Sequence, residues 1–92
     1  MQTANPESYQ EMITALQNYK KQVEQCCQVM KQAGDDCVAN TEGDVAAQRS
    51  NEKLGESIKK IDGALDTVDK LISALQEELE RVLEVARKAE SF

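Results

Sequence analysis

The clearest pattern in the chain runs over residues 54–89, which read LGESIKKIDGALDTVDKLISALQEELERVLEVARKA. We call its regularly spaced apolar residues the downstream row, and they are Leu54, Ile58, Ile61, Leu65, Val68, Ile72, Leu75, Leu79, Val82, Ala86 and Ala89. Their spacing alternates between four and three residues, which matches one face of an α-helix and not the two-residue period of a strand. Because the row continues for about five heptads, it predicts a long helix that packs against another helix with left-handed supercoiling.

A second row with the same alternation lies earlier in the chain. We call it the upstream row, and it comprises Tyr9, Met12, Leu16, Tyr19, Val23, Cys26, Met30, Ala33 and Cys37. It follows Asn5-Pro6-Glu7, a typical helix start because Asn can cap free N–H groups and Pro is pre-organised for the first turn. The upstream row therefore predicts a first helix over about residues 6–39.

The two rows are separated by Asn40-Thr41-Glu42-Gly43-Asp44, a cluster of capping and turn residues. We predict a turn at about residues 40–44, with Asn40 or Thr41 as the cap of a second helix over about residues 45–90. So short a connection allows only an antiparallel arrangement with the two rows facing each other. The expected fold is all-α, a single two-helix antiparallel hairpin over residues 1–92.

Composition excludes several classes of function. The 92 residues carry a net charge of −6 with no basic patch, so a nucleic acid or an anionic membrane surface would repel the chain. No stretch approaches the roughly 20 apolar residues of a membrane span, and Met1–Glu7 lacks the basic and apolar regions of a signal peptide. We expect a protein that is made in, and at first stays in, the cytoplasm.

The three cysteines are expected to stay reduced. Cys26, Cys27 and Cys37 are an odd number in a chain without histidine, which argues against a disulfide framework and a zinc site. Cys26 and Cys37 belong to the upstream row and are predicted to be core residues. Cys27 is predicted to be partly exposed and open to oxidation between chains.

Glycine positions leave two interpretations open. Gly34 weakens the first helix, since Gly costs roughly 1 kcal/mol against Ala in a helix interior. Gly55 and Gly63 lie off the downstream row, where each is either tolerated at the surface or allows another backbone to approach closely.

The sequence offers no catalytic, cofactor-binding or metal-binding residues. General acid–base and nucleophilic catalysis need converging groups, and histidine, the commonest of them, is absent. Paired acids such as Asp35 and Asp36 are neighbours in sequence and point in different directions on a helix. The chain is therefore expected not to be an enzyme.

The apolar surface is wider than two helices can cover. Residues that flank the rows are expected to stay partly exposed in a lone hairpin, and they are Ile13, Cys27, Val38, Ala64, Leu71, Leu83 and Val85. We therefore predict a homodimer, or a heterodimer with a similar hairpin, that forms a four-helix bundle. The residues expected to form the core and bind the partner are Leu16, Val23, Met30, Leu54, Ile58, Ile61, Leu65, Val68, Ile72, Leu75, Leu79 and Val82.

This layout resembles the WXG family of small secreted helical hairpins, relatives of the mycobacterial early secretory antigenic target and its partner. The resemblance lies in the length, the two amphipathic helices and the mid-chain turn, where Thr41-Glu42-Gly43 occupies the place of the family's Trp-x-Gly. Gly43 matches the glycine and Thr41 stands where the tryptophan would be. Asp44-Val45-Ala46-Ala47 also resembles the Ala-rich opening of the family's second helix.

The resemblance implies a component of a type VII secretion system. Such proteins leave the cell without a cleavable signal peptide, as small substrates or as targeting factors and chaperones for a toxin's helical N-terminal domain. The family's C-terminal export signal, an aromatic residue followed four residues later by an acid, is absent here, which suggests that a paired protein supplies it. The alternative is an unrelated cytoplasmic coiled-coil structural or adaptor protein.

Overall fold

The computed structural model describes residues 5–91 and contains, within them, two helices and no strand. Helix α1 spans Pro6–Asn40 and helix α2 spans Val45–Glu90. The predicted all-α helical hairpin is confirmed, and the helix bounds lie within one residue of those expected. The expectation about a signal peptide falls mainly on residues 1–4, which lie outside the described residues.

Contacts between the helices show that they run antiparallel. The Lys20 ammonium lies 2.6 Å from a carboxylate oxygen of Asp69, and the Asn51 side-chain amide donates to Asp35 at 3.1 Å. Residue numbers therefore rise along α1 as they fall along α2. At the far end of the hairpin, α2 continues beyond the start of α1, since it has 46 residues against 35.

Caps and a tight turn define the ends of the helices. The Asn5 side chain accepts from the Glu7 N–H at 3.0 Å, as predicted, and Pro6 opens α1. At the other end of α1, the Thr41 hydroxyl and N–H both donate to the Cys37 carbonyl, at 2.6 and 3.1 Å. Helix α1 is thus closed by the first residue of the turn.

The second helix is capped by Asp44, so the expectation of Asn40 or Thr41 was wrong. Its carboxylate accepts from the N–H groups of Ala46 and Ala47, at 2.8 and 3.3 Å. The Asp44 N–H in turn donates to the Thr41 carbonyl at 3.0 Å across Gly43, whose φ is +75°. A carboxylate is a strong cap next to the positive end of a helix, and Asn40 is unavailable because it is the last residue of α1.

The downstream row lies against α1 along most of its length. Leu65 and Ile72 are buried, and the half-buried members of the row are Leu54, Ile58, Ile61, Val68, Leu75, Leu79 and Val82. Ala86 and Ala89 are exposed, because they lie in the part of α2 that extends past α1.

The upstream row was predicted one residue out of register at five of its nine positions. Tyr9, Leu16 and Val23 are half-buried as expected. At the other positions, however, the residues that face α2 are Ile13, Lys20, Cys27, Gly34 and Val38, and the predicted Met30 is exposed. Their predicted counterparts are all exposed, and these are Met12, Tyr19, Cys26, Ala33 and Cys37. At these positions, the α1 residues that contact α2 therefore come one residue later in the sequence than predicted.

The rotation reverses the predictions for the cysteines. Cys27 is buried, with 6% of its surface exposed, whereas Cys26 and Cys37 are exposed. Burial also raises the pKa of the Cys27 thiol, with a smaller contribution from the negative charge of Asp62. Cys27 is thus the cysteine that behaves as a small core residue, and Cys26 lies free on the surface of the hairpin.

Gly34 is the glycine that allows the helices to approach closely. A β-carbon at this position would overlap the Asn51 side-chain oxygen and would lie 3.0 Å from a Leu54 methyl group. A β-carbon at Gly55 or Gly63 would meet nothing within 4 Å, which supports the surface interpretation for both.

The hairpin is a thin rod. It measures 74 × 20 × 15 Å, and its radius of gyration is 21.0 Å, against roughly 12 Å for a compact domain of this length. Within the described residues, no helix combines the length and the apolar character needed to cross a membrane.

Candidate functional site

Two antiparallel helices in contact leave two long sides of the hairpin open, and here the two sides differ. The polar side is a shallow groove lined mainly by charged residues, namely Lys20, Glu24, Lys31, Asp62, Asp66 and Asp69. Lys20 is its centre: the ammonium lies 2.6 and 2.8 Å from the two Asp69 oxygens and 3.6 Å from Glu24. The hydrogen bond to Asp69 is the main reason that the pKa of Lys20 is raised.

The polar side has no arrangement suited to metal binding. Across residues 5–91, no three Cys, Asp or Glu side chains come together as potential ligands. The charges of Lys20 and Asp69 instead satisfy each other, although both side chains remain partly exposed. The groove is therefore a charged contact between the helices.

The opposite side of the hairpin carries an exposed apolar surface. Met12, Tyr19, Cys26 and Ala33 each immediately precede a residue that faces α2. Ala64 and Leu71 likewise immediately precede the buried residues Leu65 and Ile72 of α2. Because the helices are antiparallel, a step of one residue towards the N-terminus rotates both sets by about 100° to the same side of the hairpin.

We call this surface the apolar side and define it as Met12, Ala15, Tyr19, Cys26, Val29, Ala33, Ala64, Leu71 and Ala74. Several of its larger members are strongly exposed: Met12 by 52%, Tyr19 by 56% and Leu71 by 48%. Val29 is 69% exposed, and Met30 lies at the edge of the apolar side with 37% exposed. The residues at these helical positions in the middle of this side, Gln22 and Thr67, are uncharged, and the charged Lys60 lies nearer the turn.

Most residues predicted to bind a partner lie between the two helices of the chain itself. Leu65 and Ile72 are buried there, and Leu16 and Val23 are half-buried with most of the downstream row. Met30 is the predicted residue that is open to a partner. Of the predicted flanking residues, Ala64, Leu71, Leu83 and Val85 are exposed as expected, Val38 is half-buried, and Ile13 and Cys27 are buried.

The sequence prediction missed Met12, Tyr19 and Cys26 as surface residues. The available signal was the pairing of apolar neighbours, because Met12 precedes Ile13 and Cys26 precedes Cys27. Only one member of each pair can face α2. Because the second member does so here, the first points towards the apolar side.

The hairpin exposes far more surface than a compact protein of its mass. Its accessible surface is 7401 Å², against about 5,300 Å² expected for a compact monomer of this size. In the described residues the buried apolar core consists of Ile13, Cys27, Leu65 and Ile72. The difference, about 2,100 Å², reflects this small core and the elongated shape of the hairpin.

The turn that carries the family resemblance is fully exposed. Thr41, Glu42 and Gly43 are open to solvent, and the positive φ of Gly43 explains why glycine is favoured there.

The site as a whole thus offers a surface for non-covalent pairing of helices. Comparison of the chain with family models, curated proteins and solved structures gave no match.

Proposed function

We propose that the chain works by helix–helix association, as a non-enzymatic accessory or small substrate of a type VII secretion system. Its partner is a similar helical hairpin or the helical targeting domain of a secreted toxin. The observation that carries this proposal is the apolar side, a long exposed surface without charge in its middle.

The energetics of the apolar side favour a helical partner. Burial of apolar surface contributes about 25 cal/mol per Å², and full burial of one large side chain contributes roughly 1.5–3 kcal/mol. Met12 and Tyr19 lie one heptad apart on α1, and Leu71 lies on the same side of the hairpin on α2. A helix laid along the rod would therefore contact all three. A partner that is itself a pair of helices would complete a four-helix bundle.

The link to type VII secretion is supported by the layout of the hairpin. Two long helices meet at a mid-chain turn whose glycine, Gly43, has the positive φ that such a turn requires. The chain resembles the WXG family in this layout. We expect this chain to leave the cytoplasm together with a paired protein that carries an export signal.

One observation favours the second candidate, a cytoplasmic adaptor or structural protein with the same pairing surface. Thr41 stands where the family has tryptophan. Its hydroxyl donates a hydrogen bond to the Cys37 carbonyl and so caps the C-terminus of α1. The turn therefore presents no aromatic side chain. In this case the apolar side would bind a helical protein that stays in the cell.

Co-expression followed by affinity purification and mass spectrometry tests the proposal. The tagged wild-type chain should co-purify with a small helical hairpin or a helical toxin domain encoded close to a secretion ATPase, and both should appear in the culture medium. Leu71→Glu should abolish capture, whereas Val45→Glu should not, because Val45 is similarly exposed but lies away from the apolar side.

Two other outcomes would contradict the proposal. A helical partner that binds the apolar side but stays in the cells with the chain would favour the adaptor. Equal capture by the wild type and Leu71→Glu would show that the apolar side is not the pairing surface.

A further inference from the structure

We infer that the folded hairpin opens locally at its turn end while its middle stays paired. We call residues 28–40 of α1 and 45–61 of α2 the turn segment, and residues 13–27 of α1 and 62–76 of α2 the central segment. The two stretches of each segment lie opposite each other in the antiparallel hairpin. The inference concerns the chain by itself and does not depend on the proposed partner.

The buried core of the hairpin lies entirely in the central segment. Its buried residues are Ile13, Cys27, Leu65 and Ile72. Throughout residues 28–61, by contrast, no side chain is buried. Because apolar burial is the main favourable contribution to folding, the helices are held together chiefly at the middle of the rod.

Helix α1 adds little apolar surface to the contact in the turn segment. Within residues 28–40 only Gly34 and Val38 are half-buried, and Gly34 has no side chain. On α2, the large apolar side chains of this contact are Leu54, Ile58 and Ile61, and all three are half-buried. They therefore gain less from the contact than the buried side chains of the central segment do.

The polar contacts between the helices differ in the same direction. In the central segment, the Lys20 ammonium donates to both Asp69 oxygens, at 2.6 and 2.8 Å, and the pair is partly buried. In the turn segment, the neutral Asn51 amide donates to Asp35 at 3.1 Å, and this bond is exposed. A hydrogen bond between two charged groups is the stronger of the two kinds, so the central segment is also better held by its polar contact.

The helices themselves are less favourable in the turn segment. Gly34 and Gly55 both lie inside helices there, and glycine is the least favourable residue in a helix interior apart from proline. Asp35 and Asp36 lie near the C-terminus of α1, whose last turn has no basic residue. Negative charge at that end opposes the helix dipole. Opening the turn segment therefore sacrifices little helix stability.

The short connection works against this order of opening. It keeps the adjoining ends of the helices close together, so connectivity alone would favour fraying at the open end of the hairpin. Opening the turn segment enlarges the loop from residues 41–44 to residues 28–61. The entropic cost of closing a loop grows only with the logarithm of its length, whereas every released residue regains backbone freedom. The difference in burial therefore decides which segment opens first.

Hydrogen exchange of the purified full chain, followed by mass spectrometry of peptic peptides, tests the order of opening. The conditions are those in which an opened form recloses faster than it exchanges, so that the rates report populations. After correction for intrinsic rates, amides at positions 30–36 and 52–58 should exchange at least about ten-fold faster than amides at 17–24 and 65–73. Equal protection of the two segments would overturn the inference.

A matched pair of variants separates local opening from unfolding of the whole hairpin. Val23 and Val38 are half-buried valines of α1, one in each segment. Serine and valine have similar helix propensities, so Val23→Ser and Val38→Ser differ mainly in the segment whose contact they weaken. Loss of two partly buried methyl groups should speed exchange roughly five-fold wherever the weakened contact has to break.

Val38→Ser should speed exchange in both segments, because its contact is broken in the locally opened form and in the fully unfolded chain. Val23→Ser should speed exchange in the central segment and leave the turn segment unchanged, since local opening does not break the contact of Val23. If Val23→Ser instead speeds exchange equally in both segments, the hairpin opens only as one unit and the inference is overturned.

Discussion

Lys20 is a charged residue in the contact line between two helices, where an apolar residue would be expected. Its ammonium contacts Asp69 on α2 and Glu24 on its own helix, and 29% of the side chain is exposed. A single Lys among apolar contact positions fixes the register of paired helices at some cost in stability. We interpret Lys20 as the residue that sets the relative height of α1 and α2.

Lys20→Met should leave the hairpin at least as stable at neutral pH, because the thioether replaces a partly desolvated charge and Asp69 remains open to water. The raised pKa of Lys20 means that the protonated side chain stabilises the folded hairpin. This contribution to the free energy of unfolding is complete below the ordinary pKa of 10.5 and is lost as the pH rises above it. Urea unfolding measured below and above that pH should therefore show a larger loss in the free energy of unfolding for the wild type than for Lys20→Met. Identical pH profiles would contradict this role.

Cys27 should react with iodoacetamide much more slowly than Cys37, because it is buried and its raised pKa leaves less of the reactive thiolate. Mass spectrometry of the alkylated peptides measures both rates in the same sample. In urea the difference should disappear, and equal rates in the native protein would mean that Cys27 is accessible.

The contact line of α1 shows what the sequence could not decide at this scale. Met12–Ile13, Cys26–Cys27 and Cys37–Val38 are pairs of adjacent apolar residues, so α1 contains two candidate rows with the same spacing. The structure uses the row that contains Lys20 and Gly34, two residues that sequence reasoning disfavours in a core. Lys20 is accommodated by Asp69, and Gly34 by the Asn51 side chain, both contributed by α2.

At the scale of the helices, the sequence predicts both the bounds of α2 and the residues of α2 that contact α1. For α1 it predicts only the bounds. The downstream row is favoured over a row shifted by one residue because Ile58, Leu65, Ile72 and Leu79 are all large and apolar. The residues that precede them are Ser57, Ala64, Leu71 and Glu78. The turn was located correctly, since Gly43 and Asp44 are strong local signals, although the capping role of Asp44 was missed. The apolar side could not be predicted until the rotation of α1 was known.

Gly34→Ala should lower the free energy of unfolding, although alanine is favoured in a helix by about 1 kcal/mol. The new methyl group would overlap the Asn51 side chain, which is held by its hydrogen bond to Asp35. Adding Asn51→Ala should recover part of the loss. The control Gly63→Ala, at an open position, should instead stabilise the hairpin by up to about 1 kcal/mol.

Urea denaturation monitored by circular dichroism compares these variants. A Gly34→Ala chain that gains as much stability as Gly63→Ala would show that the helices do not approach closely at Gly34.

At the scale of the whole molecule, folding and association use neighbouring residues of α2. Leu65, 5% exposed, lies between the helices, and Ala64 lies on the apolar side. Leu65→Asp should abolish both folding and association, because an unpaired charge in the core costs several kcal/mol, comparable with the entire stability of a small domain. Ala64→Asp should abolish association while the hairpin stays helical.

Circular dichroism and light scattering of the two variants separate the effects. A Leu65→Asp chain that stays helical and dimeric would contradict the assigned core.

The 74 Å length of the hairpin, against a width of 20 Å, also governs how the molecule moves in solution. A thin rod meets more friction than a sphere of equal mass, so the hairpin should diffuse slowly and elute early from a sizing column. Its elution volume would then suggest a heavier particle even for a single chain. The elution volume of a variant with a disrupted apolar side would therefore report the elongated shape as well as the mass. The mass of such a variant must be measured by a method that does not depend on shape.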